Sequence, residues 1–234
     1  MTADRPPRDA QRRRVYLAET PLGGRRLPLL PDCAQFADRV VGTLWWRARF
    51  PTLGLAEIPR LRPGYGARHA FFRLDEDGPT ITLPRRYRTT GVVLHELCHW
   101  ALAADADLPN HGRTFARLLL DATDEFGGGR RGEALAAAYS QHGVRVGHAP
   151  RTGPDGRLRY GWDERLRLGK GRLLDVHHHP LGGEHTVPAC TRGRFEGWGR
   201  NGSTVRLRVD ADAVVVPAAA VWDVRPVSPE AADR

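Results

Sequence analysis

The stretch 92–100 reads Val92-Val93-Leu94-His95-Glu96-Leu97-Cys98-His99-Trp100. Its apolar lead predicts a helix from about Gly91 to Ala104, with Thr89 or Thr90 as the N-cap. On a helix, a spacing of four residues sets His95 and His99 about 40° apart and about 6 Å along the axis. Two imidazoles so placed can converge on one Zn²⁺ at about 2.0–2.1 Å. Glu96 lies on the same turn but points aside. A carboxylate there can take the proton of a metal-bound water, whose pKa the ion lowers to about 7. With ten His and ten Glu in the chain, chance gives roughly 0.02 such H-E-x-x-H matches.

Two ligands from one helix define one side of an ion, so a third must come from elsewhere. His111 follows a Leu108-Pro109-Asn110 turn and opens the next helix, which lets the chain fold back toward the metal. It is the preferred third ligand. Asp105, six residues past His99, is the alternative, but it requires the helix to stop early in a Leu-Ala-Ala run that favours helix. Cys98 reads as a small apolar filler.

HELCHW followed by NHGRTF resembles the SprT-like zinc metallopeptidases, whose pattern is H-E-x-x-H and then H-G-x-x-F. The stretch RDAQRRRVYLAE together with VVLHELCHW is similar, closer still, to a group of short, uncharacterised metallohydrolases. The likeness spans roughly residues 8–143. It implies a zincin-like fold, zinc bound by His95, His99 and His111, and Glu96 as general base in peptide-bond hydrolysis. The zinc-ribbon cysteines that follow the catalytic domain in some members are absent. The reading set against it is a nucleic-acid- or protein-binding module with a structural zinc site.

Around the motif, helices are expected at Arg8–Glu19 and from Asp32 to about Arg49, the second with Phe36, Val40 and Leu44 on one face. Strand-like runs at Leu55–Leu61, Ala67–Leu74 and Thr80–Leu83 are separated by turn signals and suit antiparallel hairpins. Within the last, Ile81-Thr82-Leu83 reads equally as an interior strand or as an edge that pairs with an extended substrate. Helices return at His111–Phe126 and Gly132–Gln141. The fold class expected is α+β: a zincin-like domain over residues 1–146 with a small antiparallel sheet and the H-E-x-x-H helix. A Gly-, Pro- and Arg-rich linker over 147–171 and a small SH3-like β-barrel over 172–228 complete the division. Five short strands and an Asn201-Gly202 hairpin signal carry the barrel.

The 234 residues carry a net charge of +9, distributed as +6 over 1–66, −1 over 67–143 and +4 over 144–234. Basic ends are compatible with nucleic acid as a partner beside a protein or peptide substrate. Trp162, Trp198 and Trp222 near Arg194, Arg200, Arg206 and Arg208 suggest a stacking face, against the plainer reading of core aromatics. His177-His178-His179 and His185 read as surface histidines, because successive strand residues point to opposite faces. Cys33, Cys98 and Cys190 are far apart and form no disulfide framework or zinc ribbon. No apolar run reaches the ~18 residues of a membrane span. A cytoplasmic protein without a membrane partner is expected.

Overall fold

A computed structural model describes residues 9–53, 58–105, 107–180 and 188–227. The chain divides into two compact units, Met1–Gly147 and His148–Arg234. Among the described residues no helix is long and apolar enough to cross a membrane. Arg8, residues 55–57, His185 and Ser228, on which parts of the sequence reading fall, lie outside the described residues.

The first unit opens with α1 (Arg12–Glu19), α2 (Leu30–Gly42) and α3 (Leu44–Arg49). The single helix expected from Asp32 to Arg49 is two. Thr43 leaves helical geometry, and its side chain accepts the Trp46 N–H at 3.2 Å to cap the second. Asp32 does not begin α2 but lies in its first turn, accepting the Leu29 N–H at 3.1 Å.

Next come β1 (Arg60–Pro63), β2 (Phe71–Asp75) and β3 (Gly78–Leu83), in the order β1-β3-β2. β2 and β3 form a tight antiparallel hairpin that pairs Asp75 with Gly78, whose φ of +98° suits glycine. β1 pairs with β3 in parallel, so the sheet is mixed where hairpins alone were expected. β3 is its central strand, which settles Ile81-Thr82-Leu83 as interior. Ile81 and Leu83 are fully buried. α4 (Thr90–Leu102) packs against β2, and α5 (Arg113–Phe126) and α6 (Arg131–Gln141) pack in turn on α4 and α5. Thr89 caps α4 through its hydroxyl, which accepts the Val92 N–H at 3.3 Å. Val93, Leu94, Leu97, Phe115, Leu118, Leu119, Leu135 and Tyr139 fill the interior.

The second unit holds β4 (Arg151–Thr152), β5 (Leu158–Arg159) and α7 (Trp162–Leu168). β6 (Leu173–His178), β7 (Ala189–Trp198), β8 (Thr204–Val209), β9 (Asp212–Pro217) and β10 (Val221–Pro226) follow. The stretch read as a linker therefore contains a hairpin and a helix. The last five strands form an antiparallel sheet in the order β10-β6-β7-β8-β9. It is open: β9 and β10 are its edges and do not pair among the described residues. The barrel, SH3-like or otherwise, is thus corrected to an open sheet. The physical reason lies in α7, whose Trp162 and Leu166 join Leu174, Val176, Phe195, Val205 and Leu207 in one core. A helix covers the apolar face, so the sheet need not curl to bury it.

Candidate metal centre

α4 presents His95 and His99 one turn apart on the face toward α5. The chain then turns through Pro109, whose carbonyl accepts the Gly112 N–H at 2.9 Å, and places His111 just before α5. The three imidazoles converge. His99 Nε2 lies 3.1 Å and His111 Nε2 3.4 Å from His95 Nε2. The three ligand atoms all lie within 4.8 Å of one another, the one such group of three or more His, Cys, Asp or Glu among the described residues. Tetrahedral ligands at the usual Zn–N length stand about 3.3 Å apart, so two of these separations already suit an ion.

Two carboxylates fix the rings from behind. Glu19 Oε2 accepts from His95 Nδ1 at 2.7 Å, and Asp9 Oδ2 from His111 Nδ1 at 2.8 Å. A proton held on Nδ1 leaves the Nε2 lone pair facing the cluster, the tautomer a metal ligand needs. Aromatic rings wall the site. Phe115, four residues past His111, stacks on His99 with centroids 4.5 Å apart, and Tyr16 stacks on His95 at 5.5 Å.

Burial sets the electrostatics. It holds His99 well below the usual histidine range, with His95 and His111 adding to the effect. Burial also lowers His111, helped by His95 and opposed by Asp9. In His95 burial is the largest single effect and lowers the pKa, but the charge and hydrogen bond of Glu19 outweigh it and raise the value. Two buried imidazoles and a half-buried one, converging through their Nε2 atoms, can coordinate a divalent metal ion.

The other sequence candidates fall elsewhere. Asp105 is not in the cluster; α4 ends at Leu102, and Asp105 lies in the turn beyond it. Glu96 is also outside it, 4% exposed, and burial holds its carboxyl above the usual range. Cys98 is buried, and burial pushes its thiol well up, which fits packing. His178 bonds Thr191 Oγ1 through Nε2 at 2.9 Å, and His177 lies against Trp222, so these imidazoles do not converge. Trp198 pairs with buried Val205 on the core face, whereas exposed Arg206 pairs with Gly197, and Trp162 lies within the core. The tryptophans and arginines of β7 and β8 thus do not share one face.

Asp9 and Glu19 escaped sequence reasoning. They lie 102 and 76 residues from the imidazoles they hold. The available signal was their position: the two carboxylates bracket α1, whose Val15 and Ala18 are buried.

No family model matches the chain, and neither a curated protein nor a solved structure matches it. Membership of the SprT-like family is therefore corrected: two short motifs carried it, and nothing else joins them. The zincin-like fold and the metallopeptidase reading are corrected with it. What the structure assembles is a three-histidine cluster with Glu96 outside it. Three imidazoles specify a cation; they do not specify a peptide bond or a general base.

Proposed function

We propose that the first unit is a binding module held together by one Zn²⁺ on His95, His99 and His111. The observation that supports it is the route of the ligand shell. The two carboxylates behind the rings come from just before α1 and from its last residue, while the imidazoles come from α4 and the start of α5. An ion there ties the three segments into one cooperative structure, and its binding free energy becomes folding free energy. Nitrogen-only ligation, with two of the three separations near the tetrahedral value, supports zinc over the oxygen-preferring Mg²⁺ and Ca²⁺.

The partner proposed for the module is nucleic acid. In the three-stranded sheet, Arg60, Thr80 and Arg73 share one register position, and Arg62, Thr82 and Phe71 share another, so they lie on one face. The three arginines are exposed, and Arg73 lies over the Phe71 ring at 5.5 Å. Guanidiniums beside an exposed aromatic suit a phosphate backbone with stacked bases. The test has two arms. Zinc added to chelator-treated protein at about 100 times its dissociation constant should raise stability by about 2.7 kcal/mol. An oligonucleotide should bind with an affinity that falls steeply with salt, and Arg60→Ala with Arg73→Ala should flatten the slope by about one unit per lost phosphate contact. Absence of zinc stabilisation refutes the structural ion; salt-independent or absent binding refutes the partner.

One observation favours a second reading, a metal-dependent enzyme. A structural zinc usually has four protein ligands, and three converge among the described residues, which leaves a coordination position for an outside molecule. Azide added to the Co²⁺-loaded protein separates the two. A shift of the visible absorption bands supports the open position, and an unchanged spectrum supports a closed structural site.

A further inference from the structure

A cavity of about 720 Å³ lies within the first unit and reaches the metal cluster at His95. That volume is within the ~300–1,000 Å³ of small-molecule sites. Leu22, Leu94, Leu119 and Leu135 line it, the last three almost fully buried, so its walls are firm and apolar. Four guanidiniums, of Arg12, Arg13, Arg86 and Arg131, border it against two carboxyls, of Glu19 and Glu96. Glu19 is already engaged by the His95 ring. The surplus of charge around the cavity is positive.

Glu96 supplies the independent sign of a ligand. It lines the cavity, is 4% exposed, and its buried Oε2 has no hydrogen-bond partner. Leaving such an atom unpaired is costly, the more so when the group is charged. A ligand N–H or O–H would satisfy it.

We propose that this cavity binds a small amphipathic anion. Its apolar body lies against the leucines, its acidic group meets the arginines, and an N–H or O–H on the body donates to Glu96. The occupant is a free small molecule, because the volume matches that of small-molecule sites. None of these leucines and arginines, nor Glu96, belongs to the histidine cluster.

The test uses two fluorescent probes with the same anilinonaphthalene body and bridging N–H. One is 8-anilinonaphthalene-1-sulfonate, and the other is neutral N-phenyl-1-naphthylamine. Titrated into the protein, with and without added zinc, the sulfonate should saturate at one per chain and bind at least tenfold more tightly than the neutral probe. Arg13→Glu with Arg86→Glu, both at exposed positions, should cut sulfonate affinity at least tenfold and leave the neutral probe within about threefold. Val92→Trp fills the cavity from a half-buried wall and should abolish both. Leu17→Trp, at a position 48% exposed, is a second filling variant should the first misfold. Equal affinities for the two probes, or indifference to charge reversal, overturn the anion. Binding that is non-saturable, or that persists in a folded filled variant, overturns the site.

Discussion

Glu19 Oε2 accepts a hydrogen bond from His95 Nδ1 at 2.7 Å, so the last residue of α1 sets the tautomer of an imidazole on α4. Asp9 does the same for His111 from just before that helix, at 2.8 Å. One short helix, with Val15 and Ala18 buried, and the residue Asp9 just before it thus orient two of the three imidazoles of the cluster.

The first prediction follows from that relationship. Glu19→Ala and Asp9→Ala should each weaken zinc affinity by about 10–100-fold in a chelator-competition titration. Glu19→Gln keeps an acceptor oxygen and should lose less than Glu19→Ala. Wild-type affinity in both alanine variants would mean that the carboxylates do not orient the rings.

The second prediction concerns α7. Leu166 is fully buried in the core of the second unit. Leu166→Ala should cost about 2–5 kcal/mol of that unit's stability in a urea titration, the range for a buried leucine truncated in a packed core. A change within about 0.5 kcal/mol would return residues 162–168 to the status of a linker.

The third prediction is a pH dependence. The paired hydrogen bonds from Arg192, at 2.8 and 3.1 Å, hold the Asp175 carboxyl below the usual range. A folded-state pKa below the unfolded value of about 3.9 means that folding favours the ionised form. The contribution is complete above the unfolded pKa and is lost as pH falls through the folded one. Both side chains are partly exposed, so it should be below about 1 kcal/mol. Stability of the second unit should fall on acidification below about pH 4, and Asp175→Asn should reduce that acid sensitivity. An unchanged acid limb in the variant would exclude the pair as its cause.

Part of this was legible in the sequence for physical reasons. The apolar lead of Val92-Val93-Leu94 with a threonine cap marks a helix, and α4 spans Thr90–Leu102. The spacing of His95 and His99 then places both rings on one face. The turn at Pro109 gave His111 its approach. The rest depends on partners distant in the chain. Local periodicity does not say that β1 pairs in parallel with β3, since the strand between them in sequence lies on the far side of β3. Nor does it say that α7 covers the apolar face of the five-stranded sheet. Its buried Trp162 and Leu166 are set among glycines, prolines and arginines that read as linker. Asp9 and Glu19 are ordinary charged residues until the fold brings them behind the imidazoles. The motif resemblance over-reached for a related reason: a short pattern fixes the spacing of a few residues and leaves the surrounding architecture free.

The three-histidine zinc site is tested by the metal content of purified protein by mass spectrometry, in wild type and in His111→Ala and Asp105→Ala variants. One zinc per chain is expected in wild type and in Asp105→Ala. His111→Ala should lose zinc affinity by orders of magnitude and retain little metal after dialysis. Metal-free wild type after zinc loading, or metal lost with Asp105 and kept without His111, would contradict a zinc site built on His95, His99 and His111.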